Sequence, residues 1–126
     1  MEEVKRASSQ LQGYSELGQS GMPLAEAERL SYRYLYLMNI TTDLLLGVSS
    51  SVGNAKANRN KTEALQFRAA DGKVKDREHA AASSDEYIEA ARNYNDLNDL
   101  YEYLKQKHDD FEKNHWYYKH IGANNG

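Results

Sequence analysis

A chain of 126 residues with one proline, eight glycines and no cysteine has the size of a single domain, and the missing cysteine excludes disulfides and thiolate metal sites. Charged residues make up 28% and the hydrophobic set 40%, with ten tyrosines among the latter. That balance gives a thin, partly polar core, suited to long helices with narrow buried seams or to subunits that complete one another.

The first residues, Met1 to Arg6, lack the apolar stretch of a secretory signal. Residues 1–23 are polar and glycine-rich, with Leu11, Tyr14 and Leu17 as apolar anchors, and read as a mobile arm. From Leu24 the pattern changes. Leu30, Leu37 and Leu44 recur at intervals of seven, and Tyr34, Thr41, Val48 and Ala55 do the same between them, which predicts a helix with one buried stripe over 24–70. The apolar run from Tyr32 to Val48 is interrupted by Arg33, Asn39, Thr41, Thr42 and Asp43, so it is no membrane span and a cytoplasmic protein is expected. Gly47, Gly53, Asn54 and three consecutive serines are mediocre helix formers costing up to ~1 kcal/mol each, and a kink or break is expected near 47–54.

Asp71-Gly72 is the strongest turn signal, and the turn of a hairpin is placed at 71–73. The stretch 74–121 then reads as a second long helix or a helix pair, because Ser83 followed by Glu86 matches a capping box inside it. Its seam is the clearest pattern in the chain. Tyr87, Tyr94, Tyr101 and His108 occupy one heptad position, while Ala90, Leu97, Leu104 and Phe111 occupy the other. Tyr87, Tyr94, Leu97, Tyr101, Leu104 and Phe111 are therefore expected to form a packing or oligomer seam. A short aromatic segment, Trp116-Tyr117-Tyr118, precedes a loose tail over 122–126. The fold class that results is all-α: a long antiparallel helical hairpin, coiled-coil-like, within one domain.

Net charge is −3, which taken whole argues against nucleic acid, but the charges are unevenly placed. Residues 54–79 carry seven basic and four acidic groups, and 80–113 carry four basic and nine acidic ones. Lys56, Arg59, Lys61, Arg68, Lys73, Lys75 and Arg77 flank the proposed turn, where a patch could neutralise several phosphates. Phe67 or Trp116-Tyr117-Tyr118 could stack on bases. An ordinary solvated helix pair explains the same cluster about equally well, and the even spacing of the tyrosines favours packing over a stacking ladder. His79, His108, His115 and His120 offer no recognisable ligand set, so no metal or other cofactor is expected. No phosphate-cradling loop or nucleophile elbow is present, and the chain reads as a non-enzyme.

The order of elements, a helix beginning near Arg77-Glu78-His79-Ala80 and an end reading Trp116-Tyr117-Tyr118-Lys119-His120-Ile121, resembles the bacteriophage recombination mediators of the UvsY type over roughly 30–121. The resemblance implies a homo-oligomer in the host cytoplasm that binds single-stranded DNA and helps load a recombinase, with the seven basic residues as strand-binding positions. The alternative is a protein-binding module of phage type, an inhibitor whose acidic last helix contacts a host defence complex, or a structural coiled-coil scaffold.

Overall fold

The computed structural model describes residues 4–6 and 22–125. Most of the expected N-terminal arm, residues 1–3 and 7–21, lies outside them, as does residue 126 at the end of the expected tail. The chain is all-α, with no strand among the described residues: α1 spans Leu24–Ala69, α2 spans Val74–Ala82 and α3 spans Asp85–Asn125. α1 and α3 pack against each other as a helical hairpin. None of the described helices is long and apolar enough to cross a membrane.

Helix α1 runs without interruption through Gly47 and Gly53, so the break expected near 47–54 is absent from its hydrogen bonding. The reason lies in the stripe. Thr41 and Ala55 are buried, and Val48 and Val52 are half-buried, so each turn across this stretch retains a packed residue. Thr41 and Thr42 turn their hydroxyls onto the carbonyls of Leu37 and Met38, both at 2.9 Å, and Ser51 bonds back to Gly47 at 3.2 Å. These hydroxyls are satisfied by carbonyls of the preceding turn, so the polar residues of this stretch find their partners within the helix. The stripe also moves. Its second row passes from Leu30, Leu37 and Leu44 to Leu45, Val52 and Arg59, a shift of one residue that follows from the mismatch between 3.6 residues per turn and a strict seven-residue repeat.

α1 ends at Ala69, and Gly72 takes a φ of +108°, a conformation open to glycine and strained for any other residue. α2 is followed at once by a new start. Ser83 bonds back to His79 at 2.8 Å and closes α2, while the Ser84 hydroxyl accepts the Tyr87 N–H at 3.2 Å. The cap of α3 is thus Ser84, one residue later than the capping-box reading placed it, and Asp85 and Glu86 occupy the first turn where they oppose the helix dipole. At the other end, α3 continues through Gly122 to Asn125, so residues 122–125 are helical and not a loose tail. Gly122 is buried, and a Cβ there would lie 3.5 Å from Leu24 Cδ1 and 3.7 Å from Glu28 Cγ. A β-carbon there would make only ordinary van der Waals contact, and the helix passes through this glycine without ending.

Two compact units divide the chain, one formed by residues 1–45 with 104–126 and the other by 46–103. In the first, Val4, Leu30, Tyr34, Leu37, Phe111 and Tyr118 form a buried cluster, with Met22, Met38, Ile40, Leu44 and Ile121 packed around it. Tyr34 stacks on Tyr118, ring centres 5.8 Å apart and nearly parallel, and meets Phe111 at 6.1 Å. Those offset and tilted contacts are the favoured ones between quadrupolar rings. In the second unit the buried hydrophobic residues are Ala55, Ala81 and Ala90. Tyr87, Tyr94, Leu97 and Tyr101 are half-buried there, whereas Leu104 and Phe111 in the first unit are buried.

Candidate functional site

All seven basic residues around the turn fall in the second unit. They divide into two groups by what their side chains touch. The Arg59 guanidinium sits 4.4 Å over the Tyr94 ring, and that of Arg77 sits 4.4 Å over the Phe67 ring. Arg77 also donates its Nε–H to the Phe67 carbonyl at 3.1 Å. Because α1 ends at Ala69, that carbonyl is one of the four at the helix end without an intrahelical partner, and Arg77 caps it. Both arginines are half-buried. They fasten α3 and α2 to α1 by packing cations on aromatic faces.

Lys56, Lys61, Arg68, Lys73 and Lys75 are exposed, and none of the five has an ion-pair partner among the described residues. On α1 they do not form one face. Lys61 and Arg68 stand seven residues apart and line up along the helix, while Lys56 lies ~140° around the axis from Lys61 at 3.6 residues per turn. Arg68 occupies the last turn of α1, where a cation complements the helix dipole. Lys73 is the residue that precedes α2, and its carbonyl accepts the first helical bond, from Arg77 N–H at 2.9 Å. Lys61 and Arg68 thus share one side of α1, Lys73 lies in the turn, and Lys75 lies in the first turn of α2. Glu63, Asp71, Asp76 and Glu78 are exposed in the same stretch. These side chains present point charges and no group that reads a base edge.

The aromatic residues named for stacking are placed unequally. Phe67 is half-buried and carries Arg77 on its face. Tyr118 is fully buried against Tyr34, which removes it as a platform for a base. Trp116 and Tyr117 are exposed, in the first unit, with Lys119 Nζ 4.7 Å from the Trp116 ring centre.

The first unit contains a groove of about 330 Å³ whose lining includes Glu28, Ser31, Tyr32, His115 and Lys119. His115, 8% exposed, places Nδ1 2.8 Å from the Ser31 carbonyl. A carbonyl only accepts, so Nδ1 carries the hydrogen and the Nε2 of a neutral ring keeps its lone pair. The Ser31 hydroxyl lies 3.2 Å from the same Nδ1 and within 3.5 Å of the His115 carbonyl. These bonds tie α1 to α3 across 84 positions of sequence and satisfy the buried side of the His115 ring. No protein-family model, curated protein or solved structure matches this chain.

Proposed function

We propose that the protein is a single-stranded DNA-binding recombination mediator that acts as an oligomer in a bacterial cytoplasm and helps load a recombinase. The observation that supports this reading most is the set of exposed basic side chains near the end of α1 and the turn after it, Lys61, Arg68, Lys73 and Lys75, which have no acidic ion-pair partner among the described residues. The layout of helices and the terminal Lys119-His120-Ile121 supply the mediator part of the proposal, through the resemblance to the UvsY type. Charge attraction to phosphates releases counterions, so binding should weaken with a slope of about 0.7 log units per log unit of salt for every phosphate neutralised on a single strand.

The test is a titration of labelled single-stranded oligonucleotide at rising salt, with Lys61, Arg68, Lys73 and Lys75 changed to Glu in one variant. Arg59 and Arg77 stay as they are, because their loss would disturb packing. Salt-sensitive binding that disappears in the variant supports the reading, and no binding at low salt defeats it. A second reading, a module that docks an acidic face on a basic protein, is favoured by one feature of α3. Asp85, Glu89, Asp96 and Asp99 are exposed and fall within one face of the helix at 3.6 residues per turn, interrupted there by Arg92. Under that reading the oligonucleotide does not bind at any salt concentration, and a basic partner protein does.

A further inference from the structure

A different cluster lies on α3 in the first unit. His108 is half-buried in the seam, and Asp109 and Glu112 are exposed beside it. One ligand atom from each of the three lies within 4.8 Å of the others, and Asp109 Oδ1 is 3.7 Å from His108 Nδ1. The helix brings this about. Residues four apart share a face, so Glu112 stands one turn along from His108, and the seam packing holds the imidazole in place. Two carboxylates meet here although Lys105 and Lys113 are close in sequence. Neither lysine forms an ion pair with them among the described residues. Beside the cluster, Gln106, Asp109, Glu112, Lys113 and Trp116 border an open hollow with room for water ligands.

We propose that His108, Asp109 and Glu112 form a binding site for a divalent transition-metal ion, with water completing its coordination. One imidazole nitrogen and two carboxylate oxygens suit zinc, nickel, cobalt or copper better than magnesium or calcium, which take oxygen ligands throughout. Bonds of ~2.0–2.2 Å to nitrogen and oxygen need the donor atoms somewhat closer than they stand, and the exposed Asp109 and Glu112 side chains make that adjustment by rotation. The ion would clip one turn of α3 and offset the charge of the two carboxylates. His108-x-x-x-Glu112 is a spacing visible in the sequence, hidden there because a heptad position already explains the histidine.

Trp116, the one tryptophan of the chain, borders the same hollow as Asp109 and Glu112 and serves as the reporter. Titration of the full chain with Ni²⁺ should quench its fluorescence in a saturable manner, with one ion per chain, and Zn²⁺ should compete and restore it. Glu112→Gln, at an exposed position, should weaken the Ni²⁺ effect at least about tenfold, with an unchanged circular dichroism spectrum. His108→Ala should do the same, and Asp110→Asn, which alters only a bond from Gln106, should change nothing. The His120 ring lies 6.5 Å from that of Trp116, and an ion held there would also quench. Quenching that persists in Glu112→Gln, or that is lost in His120→Gln instead, overturns the proposal.

Discussion

Arg77 illustrates how a charged residue near a turn can be occupied by the fold. Its guanidinium covers Phe67 and caps the Phe67 carbonyl, and a flat guanidinium makes both contacts at once where a lysine ammonium, a point charge, makes them less well. Arg77→Ala is expected to lower unfolding free energy by about 1–2 kcal/mol in urea denaturation, with Arg77→Lys recovering only part of it. Lys75→Ala, at an exposed neighbour, should stay within about 0.5 kcal/mol of the parent. Gly72→Ala should cost at least about 1 kcal/mol, because φ is +108° there and a β-carbon is strained in that conformation. At this scale the sequence exposes residue type and little else. Seven basic residues are visible as a cluster, but whether Arg59 and Arg77 face solvent or lie on rings depends on Tyr94 and Phe67, which stand 35 and ten positions away. Three-dimensional proximity of that kind leaves no local signal.

Among the elements, α1 and α3 were readable where the heptad repeat is strong. The rows at Leu30 and Tyr34, and those at Tyr87 and Ala90, fall where burial is observed, because periodic burial writes itself into residue type. Boundaries set by propensity fared worse. Gly47 and Gly53 suggested a break, yet packing of the neighbouring stripe outweighs ~1 kcal/mol per glycine. Gly122 suggested a terminus, yet α3 runs on through it to Asn125. Adjacent serines made the cap of α3 ambiguous by one residue. A Cβ at Gly47 or Gly53 would meet nothing within 4 Å, so Gly47→Ala and Gly53→Ala should each raise stability by up to about 1 kcal/mol, read as a higher melting temperature. A lower one would mean that the helix is not continuous at that residue. Leu104, 1% exposed, should lose about 2–5 kcal/mol on change to Ala, and the half-buried Tyr94 should lose less.

At the level of the whole molecule, an all-α hairpin was legible from composition, because few helix breakers and two long seams leave little else. Function was much less so. Charge clustering is permissive, and the same four cations, Lys61, Arg68, Lys73 and Lys75, fit a solvated helix end as well as a phosphate-binding patch. The oligonucleotide titration separates these by its salt slope, a quantity that a solvated surface does not produce. In the same way, the acidic row on α3 is an ordinary wet face until a basic partner is shown to shield it.

The unequal cores of the two units carry a dynamic consequence. Rings and branched side chains fill the first, whereas among the described residues only alanines are buried hydrophobics in the second. A methyl group withdraws far less area from water than a phenol or an isobutyl group, and regions with little buried apolar surface open at lower free energy than the rest. Backbone amides within 46–103 should therefore exchange with deuterium through partial openings, while those around Tyr34 and Phe111 wait for global unfolding. The exposed lysines Lys56, Lys61, Lys73 and Lys75 thus belong to the unit expected to open first, and the stacked rings of Tyr34 and Tyr118 to the one expected to open last.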